Sequence, residues 1–291
     1  MSQTEQHCAC NHSELARLPV HGLTLEVDTS GLVPAPAPST ACRERVDQDM
    51  HIYINGNLRE SGDGLSPETA VKSYEDAVLA LSRYDGCNQY AAHLHFMSLE
   101  DPEASYPDFR VYTVTYNNFI TLSIKGESHE STRLGACVFY MGTRITIENL
   151  NLKSLNCLGS YVYLMGNVSF NSKDSNYIIE VGHGGFLAVV ENAHIYFHGC
   201  SCTACITITR SMVSLADGSK FHALGNITAS FAFIYAKYNS SFSMGKTVDF
   251  SDCTAVTGKK YRLIGLSYLN SNRVTLPGNQ SPMAETGSVY V

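Results

Sequence analysis

No apolar run in the 291-residue chain approaches the roughly 20 residues that a membrane-spanning helix needs. Basic runs are scarce as well: none is longer than Lys259-Lys260, and the formal net charge is -7. That balance favours solubility and speaks against a phosphate-binding surface, so neither nucleic acid nor a membrane span is expected. The first residues, MSQTEQHCACNHSEL, lack the basic-then-apolar order of an export signal, and synthesis in the cytosol is expected. Charged residues make up only 16% of the chain, too few for the Lys- and Glu-covered faces of a helical bundle. There is no Ser-His-Asp signature, phosphate loop or dinucleotide motif, and no cofactor is expected.

What is present instead is 22 Gly and 17 Tyr beside many Asn and Ser, a composition suited to short strands and tight turns. The ten cysteines are scattered, and without an export signal they read as reduced thiols filling small core spaces. Residues 1–50 stand apart as an arm, short on aromatics and carrying Pro34-Ala35-Pro36-Ala37-Pro38, which stays extended and cannot join a central strand. An opening module follows over 51–110. In it, His51 to Gly56 alternates as a strand, and LRESGDGLSPETA (58–70) leads into VKSYEDAVLALSRY (71–84). Ser66 reads as an N-cap with Pro67 at the first helical position, and Val71, Tyr74, Val78 and Leu81 recur at helical spacing. Ala91 to Met97 reads as a second strand, with His93 and His95 structural on one face.

Between 111 and 262 a looser repeat takes over. Residues 177–199, 206–225 and 232–252 can be written one above another. Each holds three short alternating strands separated by polar or glycine turns, with Phe197, Phe221 or Phe250 near the end. ITIENLNLKS (145–154) and YVYLMGNVSFNS (161–172) fit with parts missing. A unit in the twenties of residues is the length of one three-sided coil. A strand of three to five residues with one apolar face cannot stand alone, but like strands stacked at ~4.8 Å share an interior. The expected fold is therefore all-β, a right-handed parallel β-helix (solenoid) with an N-terminal capping helix, an extended N-terminal arm and closing strands over 263–291. A β-sandwich is the structural rival, but it does not predict a recurring three-strand unit.

The segment IYINGNLRESGDGLSPETAVKSYEDAV, from Ile52 to about Leu81, resembles the opening module of pectate-lyase-like β-helix proteins of the bacteriophage or prophage tail spike type. The ending RVTLPGNQSPMAETGSVYV is similar to the tails of phage proteins that close on a Leu-Pro-Gly turn. The resemblance implies a virion protein of the tail spike or tail fibre kind, assembled as a homotrimer. In such a protein residues 1–50 attach to other tail proteins and the β-helix meets a host surface glycan. A polysaccharide depolymerase, whether glycoside hydrolase or lyase, is the enzymatic alternative. A bacterial surface adhesin is a second alternative.

Glycoside hydrolysis needs two carboxyls facing one groove. The acids of the coils are Glu148, Asp174, Glu180, Glu191, Asp217, Asp249 and Asp252, and Glu180 with Glu191 is the pair to inspect, with His183 between them. Both also suit a solvated face, and a non-catalytic role is the expectation. His7, Cys8, Cys10 and His12 form the one metal-like cluster, but its single-residue gap between cysteines is awkward for a tetrahedral zinc site. Cys200, Cys202 and Cys205 read as stacked small residues at a corner. Tyr53, Tyr112, Tyr116, Tyr161, Tyr163, Tyr196, Tyr235 and Tyr268 fit either sugar contacts or aromatic ladders.

Overall fold

The structure, a computed structural model, describes residues 43–111, 118–173 and 176–291. The N-terminal cluster of His7, Cys8, Cys10 and His12, most of the arm, Tyr112, Tyr116 and Asp174 lie outside the described residues. Contacts gather Arg43 to Val291 into one compact unit.

That unit is a parallel β-solenoid, as the repeat predicts. It opens with β1 (Glu44–Arg45), β2 (Met50–Ile54), α1 (Tyr74–Leu81), β3 (Tyr84–Asp85), β4 (Ala91–Phe96) and β5 (Phe109–Val111). About six complete three-sided turns follow. The first is β6 (Thr121–Gly126) with β7 (Arg133–Tyr140), and the second is the single bent strand β8 (Arg144–Leu158). β9 (Tyr161–Phe170) followed by β10 (Tyr177–Gly182) makes the third, and β11 (Phe186–Val189) followed by β12 (His194–Thr209) the fourth. The fifth is β13 (Met212–Leu215) with β14 (Lys220–Lys237). β15 (Ser241–Met244), β16 (Asp249–Asp252), β17 (Val256–Gly258) and β18 (Tyr261–Ile264) form the last. Partial turns close the chain with β19 (Tyr268–Asn270), β20 (Met283–Ala284) and β21 (Val289–Tyr290).

Three stacked parallel sheets result. The first contains β2, β4, β6, the starts of β8 and β9, then β11, β13, β15, β19 and β21. The second takes the start of β7, the middle of β8, the end of β9, the starts of β12 and β14, and β16. β5, the ends of β7, β8, β12 and β14, with β10, β18 and β20, make the third.

Register explains the core. On the first sheet Ile52, Leu94, Ile124, Ile147, Leu164, Val189, Leu215 and Met244 sit in line, one per turn, and all are buried. Each such side chain contributes roughly 1.5–3 kcal/mol on leaving water. Inside the second sheet Phe170, Phe197, Phe221 and Phe250 stack with centroids 5.8, 6.3 and 4.6 Å apart, so the three aligned phenylalanines of the repeat do meet. Phe221 has Ile195 as its backbone partner, so its ring reaches Phe197 across a two-residue offset. Gly218 (φ +73°) shows what the corners demand. A Cβ there would lie 2.4 Å from Asn192 Oδ1, in a backbone conformation glycine adopts without cost.

The helix starts later than the sequence suggests. Ser73, not Ser66, is its N-cap, and its Oγ accepts from the Asp76 N–H at 3.1 Å. Strand pairing holds the preceding segment out of the helix. Tyr53 N–H donates to Gly64 O, Val71 N–H to Tyr53 O, and Asn55 N–H to Val71 O, so the loop 64–71 satisfies the free edge of β2. Ala77, Ala80 and Leu81 are the helix residues buried in the common core.

Candidate functional site: the outer face of the second sheet

Outward side chains of the second sheet fall into two columns, because parallel register puts like positions of successive turns side by side. Arg133, Asn151, Ser169, Tyr196, His222 and Asp252 form the first. Lys153, Asn171, His198 and Leu224 form the second, one strand position past Leu152, Phe170 and Phe197 and ending on the His198–Leu224 pair. The sequence repeat hides these columns, because it reports the inward alternation.

A stack of rings is built around Tyr196 and His222 of the first column. The Tyr196 ring lies between His129 and His222, with centroids 4.5 and 4.6 Å away and nearly parallel planes. His129 comes from the turn before β7 and is fixed by a 2.8 Å bond to Ser169 Oγ. His194 stacks on His222 with centroids 5.3 Å apart, its Nδ1 3.1 Å from His222 Nε2. His222 Nδ1 meets Asp252 Oδ2 at 2.8 Å. For a neutral His222 beside a carboxylate, which only accepts, the tautomer that serves both contacts donates from Nδ1 to Asp252 and accepts at Nε2 from His194 Nδ1, which turns His194 Nε2 outward as an acceptor. Burial lowers the pKa of His194, helped by His222, and burial also lowers that of His129. His198 is lowered by burial and by the nearby Arg133 and His129, which ties the second column to the first.

Beside the stack runs a groove of about 370 Å³ lined by Glu103, Ser105, Arg133, Asn151, Lys153, Asn171 and Lys173 among others. Glu103 grips Arg133 through two oxygens, at 3.0 and 3.4 Å. The face thus offers ring edges, imidazole nitrogens, amides and cations in a repeating row. Such a surface can hydrogen-bond many hydroxyls along an extended chain.

The other sites expected from sequence are placed differently. Glu180 projects from β10 on the third sheet, beside Asn156 and Thr207. Glu191 is exposed in the turn between β11 of the first sheet and β12 of the second. The two are not brought to one face, and His183 lies at a third place, the turn between β10 and β11. His93 and His95 join His51 and Tyr53 in a separate stack outside the first sheet. Cys200, Cys202 and Cys205 are buried thiols with Cys202 and Cys205 sulfurs 3.9 Å apart, as the corner reading expects. Among the described residues no His, Cys, Asp and Glu grouping has the geometry to hold a metal ion, and no helix is long and apolar enough to cross a membrane.

Fold and face together define a parallel β-solenoid with a polar, aromatic outer sheet. Beyond that class, the chain matches no family model, no curated protein and no solved structure.

Proposed function

We propose that the chain is a glycan-binding β-solenoid of the tail spike or tail fibre kind, a structural virion protein that holds a host surface polysaccharide along its second sheet without cleaving it. The observation that carries this reading is the pair of outward columns, which set Arg133, Tyr196, His222 and Asp252 in one row and Lys153, Asn171 and His198 in the other on strands ~4.8 Å apart, with Asn151 and Ser169 buried within the first. Rings within the stack cover each other's faces, so they offer sugars their edges and nitrogens. The virion setting rests on the resemblance of Ile52 to Leu81.

Trimeric assembly has support of a different sort. On the first sheet Tyr161, Phe186, Met212, Ser241, Tyr268 and Val289 form an outward column. Met212 is 54% exposed and Tyr161 48%. An apolar stripe of this length marks an interaction surface, and a second copy of the chain is the partner proposed for it.

A depolymerase is the second reading, favoured by the Asp252–His222–His194 chain. That chain could draw a proton in at His194 Nε2 and settle charge beside Asp252. A panel of bacterial surface polysaccharides, assayed for both retention and new chain ends, separates the readings. Retention without cleavage is expected. Cleavage abolished by His194→Gln would establish the enzyme instead, and neither retention nor cleavage of any glycan would end both.

A further inference from the structure

We propose that the glycan is acidic, and that Arg133, Lys153 and Lys173 receive its carboxylate in the groove where Glu103 now sits as a built-in competitor. This rests on the glycan reading of the second sheet and names the class of sugar.

Three cations line one groove, and among its described lining residues Glu103 is the only acid. That local excess stands out in a chain of net charge -7, whose overall field repels polyanions. Lys153 and Lys173 are exposed, and neither has an ion-pair partner among the described residues. Arg133 and Asn151 belong to the column that continues through Ser169 to Tyr196, and Lys153 and Asn171 to the one that continues to His198, so the groove lies in line with the ring stack. A sugar chain lying along the stack passes over it.

Arg133 supplies the geometry. Its guanidinium donates two N–H bonds to one carboxylate, the recognition mode in which arginine exceeds lysine. In this structure the carboxylate is that of Glu103, with Nη1–Oε2 at 3.0 Å and Nη2–Oε1 at 3.4 Å. The Arg133 side chain is 22% exposed, which fixes the fork, whereas Glu103 is 80% exposed in the turn 101–104. An exposed pair of this kind is screened by water and weakly held. A uronate carboxylate anchored through neighbouring hydroxyls can therefore take the place of Glu103, which swings into solvent.

The test uses the full chain and three length-matched probes: alginate, hyaluronan and neutral dextran. Glu103→Ala is expected to tighten binding of an acidic probe by about two- to fivefold, the reverse of an ordinary ion-pair loss. Lys153→Gln with Lys173→Gln is expected to weaken it by about tenfold. Both should leave dextran unaffected, and rising salt should erode the acidic binding alone. All three side chains lie on the surface, and melting curves confirm that the variants fold. Equal binding of dextran and the acidic probes, or acidic binding indifferent to all three substitutions, overturns the proposal and leaves the glycan reading standing. A panel in which no neutral or acidic glycan binds overturns both.

Discussion

His51, His93 and His95 crowd together outside the first sheet, His51 Nδ1 being 2.9 Å from His95 Nε2. Burial first, then the neighbouring imidazoles and Lys125, push the pKa of His95 down to about 4 from an ordinary 6.5. The folded state therefore keeps His95 neutral where the unfolded chain takes up a proton. Stability from this site is complete above pH 6.5 and is lost as the pH falls from 6.5 towards 4. His93 is lowered in the same direction, mainly by burial. Replacing His95 by Gln should flatten the pH dependence of the urea midpoint across that window. An unchanged slope would show that the stack does not resist protonation. Sequence alone marks His93 and His95 as structural, yet it cannot show His51 stacking on them, since 42 residues separate His51 from its register partner His93.

At the scale of elements, alternation made the strands legible, because each buries one face. Turn lengths did not follow from it. The step from Cys137 to its neighbour Leu155 is 18 residues, while that from Ile206 to Ile234 is 28, so outward columns cannot be aligned by counting. Ser66-Pro67 has good capping chemistry, but the edge of β2 captures that segment and the cap falls to Ser73. Ser73→Ala should cost about 1 kcal/mol, read from denaturant melts, while Ser66→Ala should leave the helix intact. Equal losses would place the cap back at Ser66. Within the phenylalanine ladder, Phe221 is almost wholly buried between Phe197 and Phe250. Phe221→Ala should cost roughly 3–5 kcal/mol. A loss under about 1 kcal/mol, the size of a minor surface change, would mean the ladder does not carry the core.

At the scale of the whole described unit, an apolar column from Tyr161 to Val289 runs outside the first sheet, whose opening turns carry the His51, His93 and His95 stack, and a polar, ring-bearing face lies outside the second. Met212→Glu puts a charge in the middle of the apolar column. It should lower the molar mass in solution to that of a single chain while the circular dichroism stays unchanged. An identical assembly state would remove the stripe from the interface. The repeat pointed to the solenoid but not to this arrangement of faces, which appears only once register is fixed. The most direct measurement of the account is histidine modification by diethyl pyrocarbonate, read by mass spectrometry with and without a retained polysaccharide. Protection is predicted at His194, His198 and His222, with His51 and His183 modified equally in both states. Protection confined to the first or third sheet, or none despite retention, would contradict it.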